Sequence, residues 1–155
     1  LLELNYQENQ EAFDIYETLT ISKTPQSKLT YTRGQHLIVI TPTSHSRNVV
    51  LRGKNAPGTS KVSTFLTVHG KLELRRITLL GFERAVVARS GSDVIITDCR
   101  FEANDGAISF VGGTATIQST SFVGNVAVNA AGGSILNGVG SVLTLHQSIF
   151  QSSSI

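Results

Sequence analysis

From Phe65 onward the apolar residues of this chain fall in short alternating bursts, and each burst is interrupted by a pair of polar residues before it resumes. One pattern recurs four times: Leu72, Leu74, Ile77, Leu79; Val94, Ile96, Cys99, Phe101; Ala115, Ile117, Thr120, Phe122; and Leu143, Leu145, Ser148, Phe150. The copies start 22, 21 and 28 residues apart. Seven or eight residues ahead of each start stands another apolar residue, Phe65, Val86, Ile108 and Ile135 in turn, inside a second short strand bounded by Gly or Ser. Period-two alternation predicts strands, and repetition of strand-containing units at 20 to 30 residues predicts a solenoid, because one such unit cannot bury its inward face alone.

Helical repeats are the competing architecture. The units are dense in Val, Ile, Thr and Phe, and Gly interrupts every long helical window after Gly70, which favours strands. The expected fold is therefore all-β: a right-handed parallel β-helix of about six or seven coils of roughly 22 residues, each strand pairing with its equivalent in the next coil. The polar pairs Arg75–Arg76, Thr97–Asp98, Gln118–Ser119 and His146–Gln147 become corners that point outward. Ile77, Leu79, Ile96, Cys99, Phe101, Ile117 and Phe122 are expected to point inward. The less regular stretches "KLTYTRGQHLIVITP" and "NVVLRGKNAPG" carry the same alternation, so the solenoid is expected to run over residues 28–155. Residues 1–27 are read as an N-terminal cap or irregular first coil, with "YQENQEAFDIYETL" as a short amphipathic helix or an irregular cover.

A length of 155 residues fits one domain, and the 40% hydrophobic content, without Trp or Met, supplies a core from small and branched side chains. Charged residues make up 15% and the formal net charge is +2. That is too little positive charge to nominate nucleic acid or an anionic membrane as partner. Every Lys, Arg, Asp and Glu lies at or before Asp105, leaving His146 as the lone titratable side chain in the last 50 residues. No stretch approaches the ~18 apolar residues of a membrane span. The first residue is Leu1, so the chain reads as a mature or excised piece, and its end at "IFQSSSI" carries no visible cap. The expectation is that residues 106–155 pack against further coils of a longer parent chain or a neighbouring copy stacked end to end, since natural strand edges are defended by charge, Pro or a cover. The single Cys99 excludes a disulfide-stapled fold.

Phe101-Glu102-Ala103-Asn104 and Phe122-Val123-Gly124-Asn125, with Gly132-Gly133-Ser134-Ile135 and the degenerate Asp105-Gly106-Ala107-Ile108, resemble the Phe-x-x-Asn and Gly-Gly-Ala-Ile repeats of the chlamydial polymorphic membrane protein passenger domains. Phe82-Glu83 and Phe150-Gln151-Ser152-Ser153 are read as copies that have lost the Asn. The resemblance covers residues 65 to 155, and such tetrapeptides also occur in other pectin-lyase-like β-helices. It implies an extracellular or cell-surface passenger used in adhesion or as a stalk. The residues have a physical reading of their own, in which Phe stacks inside and Asn at the turn bonds neighbouring backbone.

Pectin-lyase-like folds also host polysaccharide lyases and glycoside hydrolases, which require converging carboxylates or an acidic cluster beside a basic residue. The nearest constellation is Asp93, Asp98, Arg100 and Asp105. Asp98, Arg100 and Asp105 are thus the candidates for the enzyme alternative, against a surface salt-bridge ladder joining Asp98 and Arg100 to Arg75 or Arg76 of the preceding coil. His36, His45, His69 and His146 lack metal-ligand spacing, and the Gly-rich turns precede no helix with Lys-Ser or Lys-Thr, so neither metal nor nucleotide is expected and no cofactor is assigned. A carbohydrate-binding module would need an aromatic platform, and Tyr6, Tyr16 and Tyr31 all lie in the irregular N-terminal part. The function expected is a non-catalytic extracellular or cell-surface module, adhesin or scaffold, that stacks into filaments and meets host or cell-surface protein or glycan.

Overall fold

The computed structural model describes residues 64–126 and 133–152 throughout and, ahead of them, the strand segments 12–15, 19–21, 37–40 and 49–53. In chain order the first strands are β1 (Ala12–Ile15), β2 (Leu19–Ile21), β3 (Leu37–Ile40), β4 (Val49–Gly53), β5 (Thr64–Val68) and β6 (Lys71–Arg75). They continue as β7 (Ile77–Leu80), β8 (Arg84–Ala88), β9 (Ser92–Thr97), β10 (Arg100–Glu102) and β11 (Ile108–Phe110). The last are β12 (Gly113–Gln118), β13 (Ser121–Val123), β14 (Ile135–Asn137), β15 (Ser141–His146) and β16 (Ile149–Gln151).

All elements among the described residues are strands, and each of β1 to β13 pairs in parallel with the strand three further along the chain. Three sheets result. The first runs β1-β4-β7-β10-β13-β16, the second β2-β5-β8-β11-β14 and the third β3-β6-β9-β12-β15. This is the arrangement of a parallel β-helix, in which the chain visits three sheets in turn and each winding lays its strands on the one before.

Register follows the repeat. Leu72 pairs with Val94, Val94 with Ala115, and Ala115 with Leu143; Leu79 pairs with Phe101, Phe101 with Phe122, and Phe122 with Phe150. Ile77, Leu79, Ile96, Cys99, Phe101, Ile117 and Phe122 are all buried inside, with Ile96 at 0% exposure. The phenyl rings form a column, Phe101 on Phe122 at 5.1 Å and Phe122 on Phe150 at 4.7 Å between centroids, nearly parallel in both pairs.

Two positions depart from the expected alignment. Leu66, not Phe65, pairs with Val86, and Phe65 packs its ring against Phe82 at 5.2 Å. Phe82 is likewise not an Asn-less copy of the Phe-x-x-Asn start. Since Leu79 pairs with Phe101 and Leu80 with Glu102, the matching tetrapeptide is Leu79-Leu80-Gly81-Phe82, and Phe82 stands in the column of Asn104. The coil-to-coil spacing decides this, and a shared Phe misleads when it is used alone as the anchor.

The helical alternative for "YQENQEAFDIYETL" gives way at Ala12–Ile15, which is a strand. Its residues pair in parallel with Val50 to Gly53, and a sheet edge in reach overrides the weak helical pattern of so short a stretch. β1 and β2 both lie within residues 1–27 and join the same sheets as the later coils. The remaining residues of that segment, with His36, His45, Tyr6, Tyr16 and Tyr31, lie outside the described residues.

Candidate functional site

The corner between the third and first sheets is built by one repeated device. Arg76, Asp98, Ser119 and Gln147 all take left-handed backbone, φ 48–54°, which turns the chain sharply and throws the side chain outward. The residue after each turns back in. Cys99 Sγ bonds Thr97 O at 3.3 Å, Thr120 Oγ1 donates to Gln118 O at 2.9 Å, and Ser148 Oγ donates to His146 O at 3.0 Å. In these three coils a small side chain with a donor staples the carbonyl two residues back, whereas after Arg76 the position is filled by Ile77, which is held by burial alone. Burial pushes the Cys99 thiol up from its ordinary 9.0 to about 11, with backbone contacts from Ile77, Thr97 and Arg76 opposing. It is a structural thiol.

The next corner, from the first sheet to the second, carries an asparagine ladder. Asn104 Oδ1 accepts the N–H of Phe82 at 2.9 Å, and Asn104 Nδ2 donates to Leu79 O at 3.0 Å and to Asn125 Oδ1 at 2.9 Å. One coil on, Asn125 Oδ1 accepts the N–H of Asn104 at 3.0 Å while its Nδ2 donates to Phe101 O at 2.9 Å. Each Asn therefore reaches back one coil and closes the turn below it. The ladder ends at Phe82, whose ring faces Gly53. A Cβ on Gly53 would lie 2.7 Å from that ring, so only glycine fits.

The structure separates the charged candidates. Asp98 is exposed at the corner preceding β10, Arg100 lies on β10, and Asp105 follows the other end of that strand, with its N–H donated to Phe82 O at 2.8 Å. Two different corners hold the two carboxylates. The ladder expected between Asp98 or Arg100 and Arg75 or Arg76 does not form among the described residues. Arg100 Nε meets Glu102 Oε2 at 2.7 Å, and Arg75 pairs with Glu73. Residues i and i+2 share a strand face, so these long side chains find a partner on their own strand before they reach the next coil. Lys71 pairs across coils with Asp93 at 4.0 Å, extended by Thr114 Oγ1 donating to Asp93 Oδ1 at 2.8 Å. His69 lies exposed in the turn after β5 and His146 exposed at the end of β15. Among the described residues no three His, Cys, Asp or Glu side chains gather in the manner of a metal site. No helix there is long and apolar enough to cross a membrane.

The final coil presents a different surface. Leu145 and Phe150 stack in register on Ile117 and Phe122, both 0% exposed, yet are themselves 43% and 49% exposed. Among the described residues β14, β15 and β16 are the last strands of their sheets. The lack of charge after Asp105 begins at β11 and spans buried and exposed coils alike, so it does not single out this edge; the inner staples and the ends of the Asn ladder carry no sequence signal beyond small size and Asn itself.

No family model, no curated protein and no solved structure matches the chain. The likeness to the polymorphic membrane protein repeats therefore rests on the tetrapeptides alone.

Proposed function

We propose that the chain is a non-catalytic extracellular or cell-surface module, an adhesin or structural scaffold, built as a right-handed, pectin-lyase-like β-helix of about six or seven coils. The observation that carries this reading is the stacked, in-register continuity of the coils up to an open final one, where Leu145 and Phe150 are 43% and 49% exposed. A solenoid whose Phe and Asn columns repeat from coil to coil is stiff along its axis, and its end has the shape of the next coil. Its partners are then further coils of a longer parent chain or neighbouring copies end to end. Head-to-tail contact between copies does not close on itself and yields filaments. The cell-surface part of the reading is supported by the tetrapeptides.

Sedimentation and negative-stain microscopy over a concentration series test the scaffold. Rods that lengthen with concentration, and that Phe150→Asp shortens to single modules while the spectrum of a folded β-protein persists, are the expected result. Strictly monomeric behaviour of the wild-type chain at high concentration would remove self-stacking. Turnover of pectin or another acidic polysaccharide, lost on Asp98→Ala or Arg100→Ala, would replace the scaffold with an enzyme.

A further inference from the structure

Asn137 and Gly138 form the one Asn-Gly pair of the sequence, and they stand where β14 gives way to the turn before β15. Asn137 is exposed, ends β14 and pairs with Phe110. Gly138 is held hard against the neighbouring coil. Its N–H donates to Phe110 O at 2.9 Å, and a Cβ at this position would lie 2.7 Å from that oxygen. Packing thus demands glycine after this asparagine, and glycine is the neighbour that shields its own peptide nitrogen least.

We propose that Asn137 is a self-modification site, a deamidating asparagine gated by the hydrogen bond from Gly138 N–H to Phe110 O. With the bond made, the nitrogen is turned toward the neighbouring coil. When the edge strand opens locally, it is released. Base removes the amide proton, the Gly138 nitrogen bonds to Asn137 Cγ, and the side-chain nitrogen takes up a proton and leaves as ammonia, so that a succinimide remains. Water then opens either carbonyl to give aspartate or isoaspartate, with no change of oxidation state. Both products place a carboxylate in a region that has none after Asp105. Isoaspartate also adds a methylene to the main chain just before the bonds that pin the turn, Ser141 N–H to Gly138 O at 3.2 Å and Gly113 N–H to Gly140 O at 3.2 Å. Modification therefore loosens the final coil irreversibly. The ladder asparagines are placed to resist it: Asn104 is 1% exposed, and the side-chain amides of Asn104 and Asn125 are engaged in the bonds described above.

The test incubates the intact chain near pH 7 and pH 9, folded and in urea, and maps deamidation by peptide mass spectrometry. Isomerisation at Asp105–Gly106 leaves the mass unchanged, so a mass gain distinguishes the two sites. Expected are a mass gain at Asn137, faster at the higher pH, several-fold slower folded than in urea, and absent in Asn137→Ser. The modified fraction should also take up deuterium faster at the Gly113 amide. Equal rates folded and unfolded would overturn the gate, whereas gain at Asn104 or Asn125 as fast as at Asn137 would overturn the site. Unchanged exchange at Gly113 would overturn the loosening.

Discussion

The coil that carries Ile117 and Phe122 and the coil laid upon it share one register, one Phe column and one corner device, yet the first is sealed and the second is open. Ile117 and Phe122 are 0% exposed; their successors Leu145 and Phe150 are 43% and 49% exposed. The difference lies in what covers them, since in a solenoid the inward face of each coil is completed by its neighbours on both sides. The coil of Ile117 and Phe122 has described strands on both sides, and the coil of Leu145 and Phe150 has them on one.

The most severe way to test the sealed region is Ile96→Asp. A carboxylate at a site of 0% exposure, between Leu74 and Ile117 in its ladder, has no partner and costs several kcal/mol, a large share of the stability of a domain this size. Loss of the folded circular-dichroism spectrum is expected. A cooperative, stable Ile96→Asp variant would mean that this face is not the interior. Next come the two stacked rings. Phe122→Ala should cost about 3–5 kcal/mol by cavity formation, and Phe150→Ala about half of that or less, because the terminal ring is already half in water. Equal losses in urea titrations would show that the last coil is covered in solution.

These contrasts also mark what was legible in the sequence. The spacing of Leu72, Val94, Ala115 and Leu143 is the ladder register itself, because a parallel solenoid stacks equivalent residues and any insertion must be absorbed in a turn. Phe82 misleads through residue type and Phe65 through spacing, since Leu66, the partner of Val86, stands 6 residues before Leu72 whereas Val86 stands 8 before Val94. In the structure the two phenylalanines pack on each other, filling space near Gly53 where the neighbouring coils have Asn at the equivalent of Phe82. The charged groups were the least legible. Whether Arg100 meets Glu102 on its own strand or a residue on the next coil is decided by rotamers and by the left-handed corner at Asp98, and the residue order encodes neither directly.

Cys99 gives the comparison a pH dependence. Its thiol ionises at 9.0 when unfolded and at about 11 when folded, so above about pH 9 the unfolded chain releases a proton that the folded chain retains. The stability that this group contributes is intact below pH 9 and falls as pH rises toward 11, by on the order of 2 kcal/mol. Urea midpoints at pH 8 and pH 10.5 measure it, and Cys99→Ser should flatten the difference. Alkylation by iodoacetamide near neutral pH should require denaturant. A smaller separation is expected along the ladder. Asn104→Ala strands the Phe82 N–H and Leu79 O in a buried corner and should cost about 1–3 kcal/mol, with Asn125→Ala costing less because that corner is only half-buried. A larger loss at Asn125 would place the ladder's anchor on the open side.

The smallest expected effect separates strain from packing at the outward corners. Ser119 and Gln147 both sit at φ 48–49° and are exposed, so their backbone carries the left-handed penalty of roughly 1–2 kcal/mol that Cβ imposes. Glycine removes that penalty but makes the unfolded chain freer by about 0.5–1 kcal/mol. The two terms nearly cancel and leave Ser119→Gly stabilising by about half a kcal/mol. Asp98→Gly should gain less, since Asp tolerates this conformation better than most residues. Gln147→Gly should gain least in global stability, because the terminal coil opens before the rest and relief of its strain is felt only in that local opening. Chemical denaturation reads the first two, and hydrogen exchange at the Ser119 amide, which donates to His146 O at 3.0 Å, reads the third. A Ser119→Gly variant that loses a full kcal/mol would show that the outward serine holds its corner by contacts of its own, and that the left-handed turn is carried by the side chain as well as the backbone.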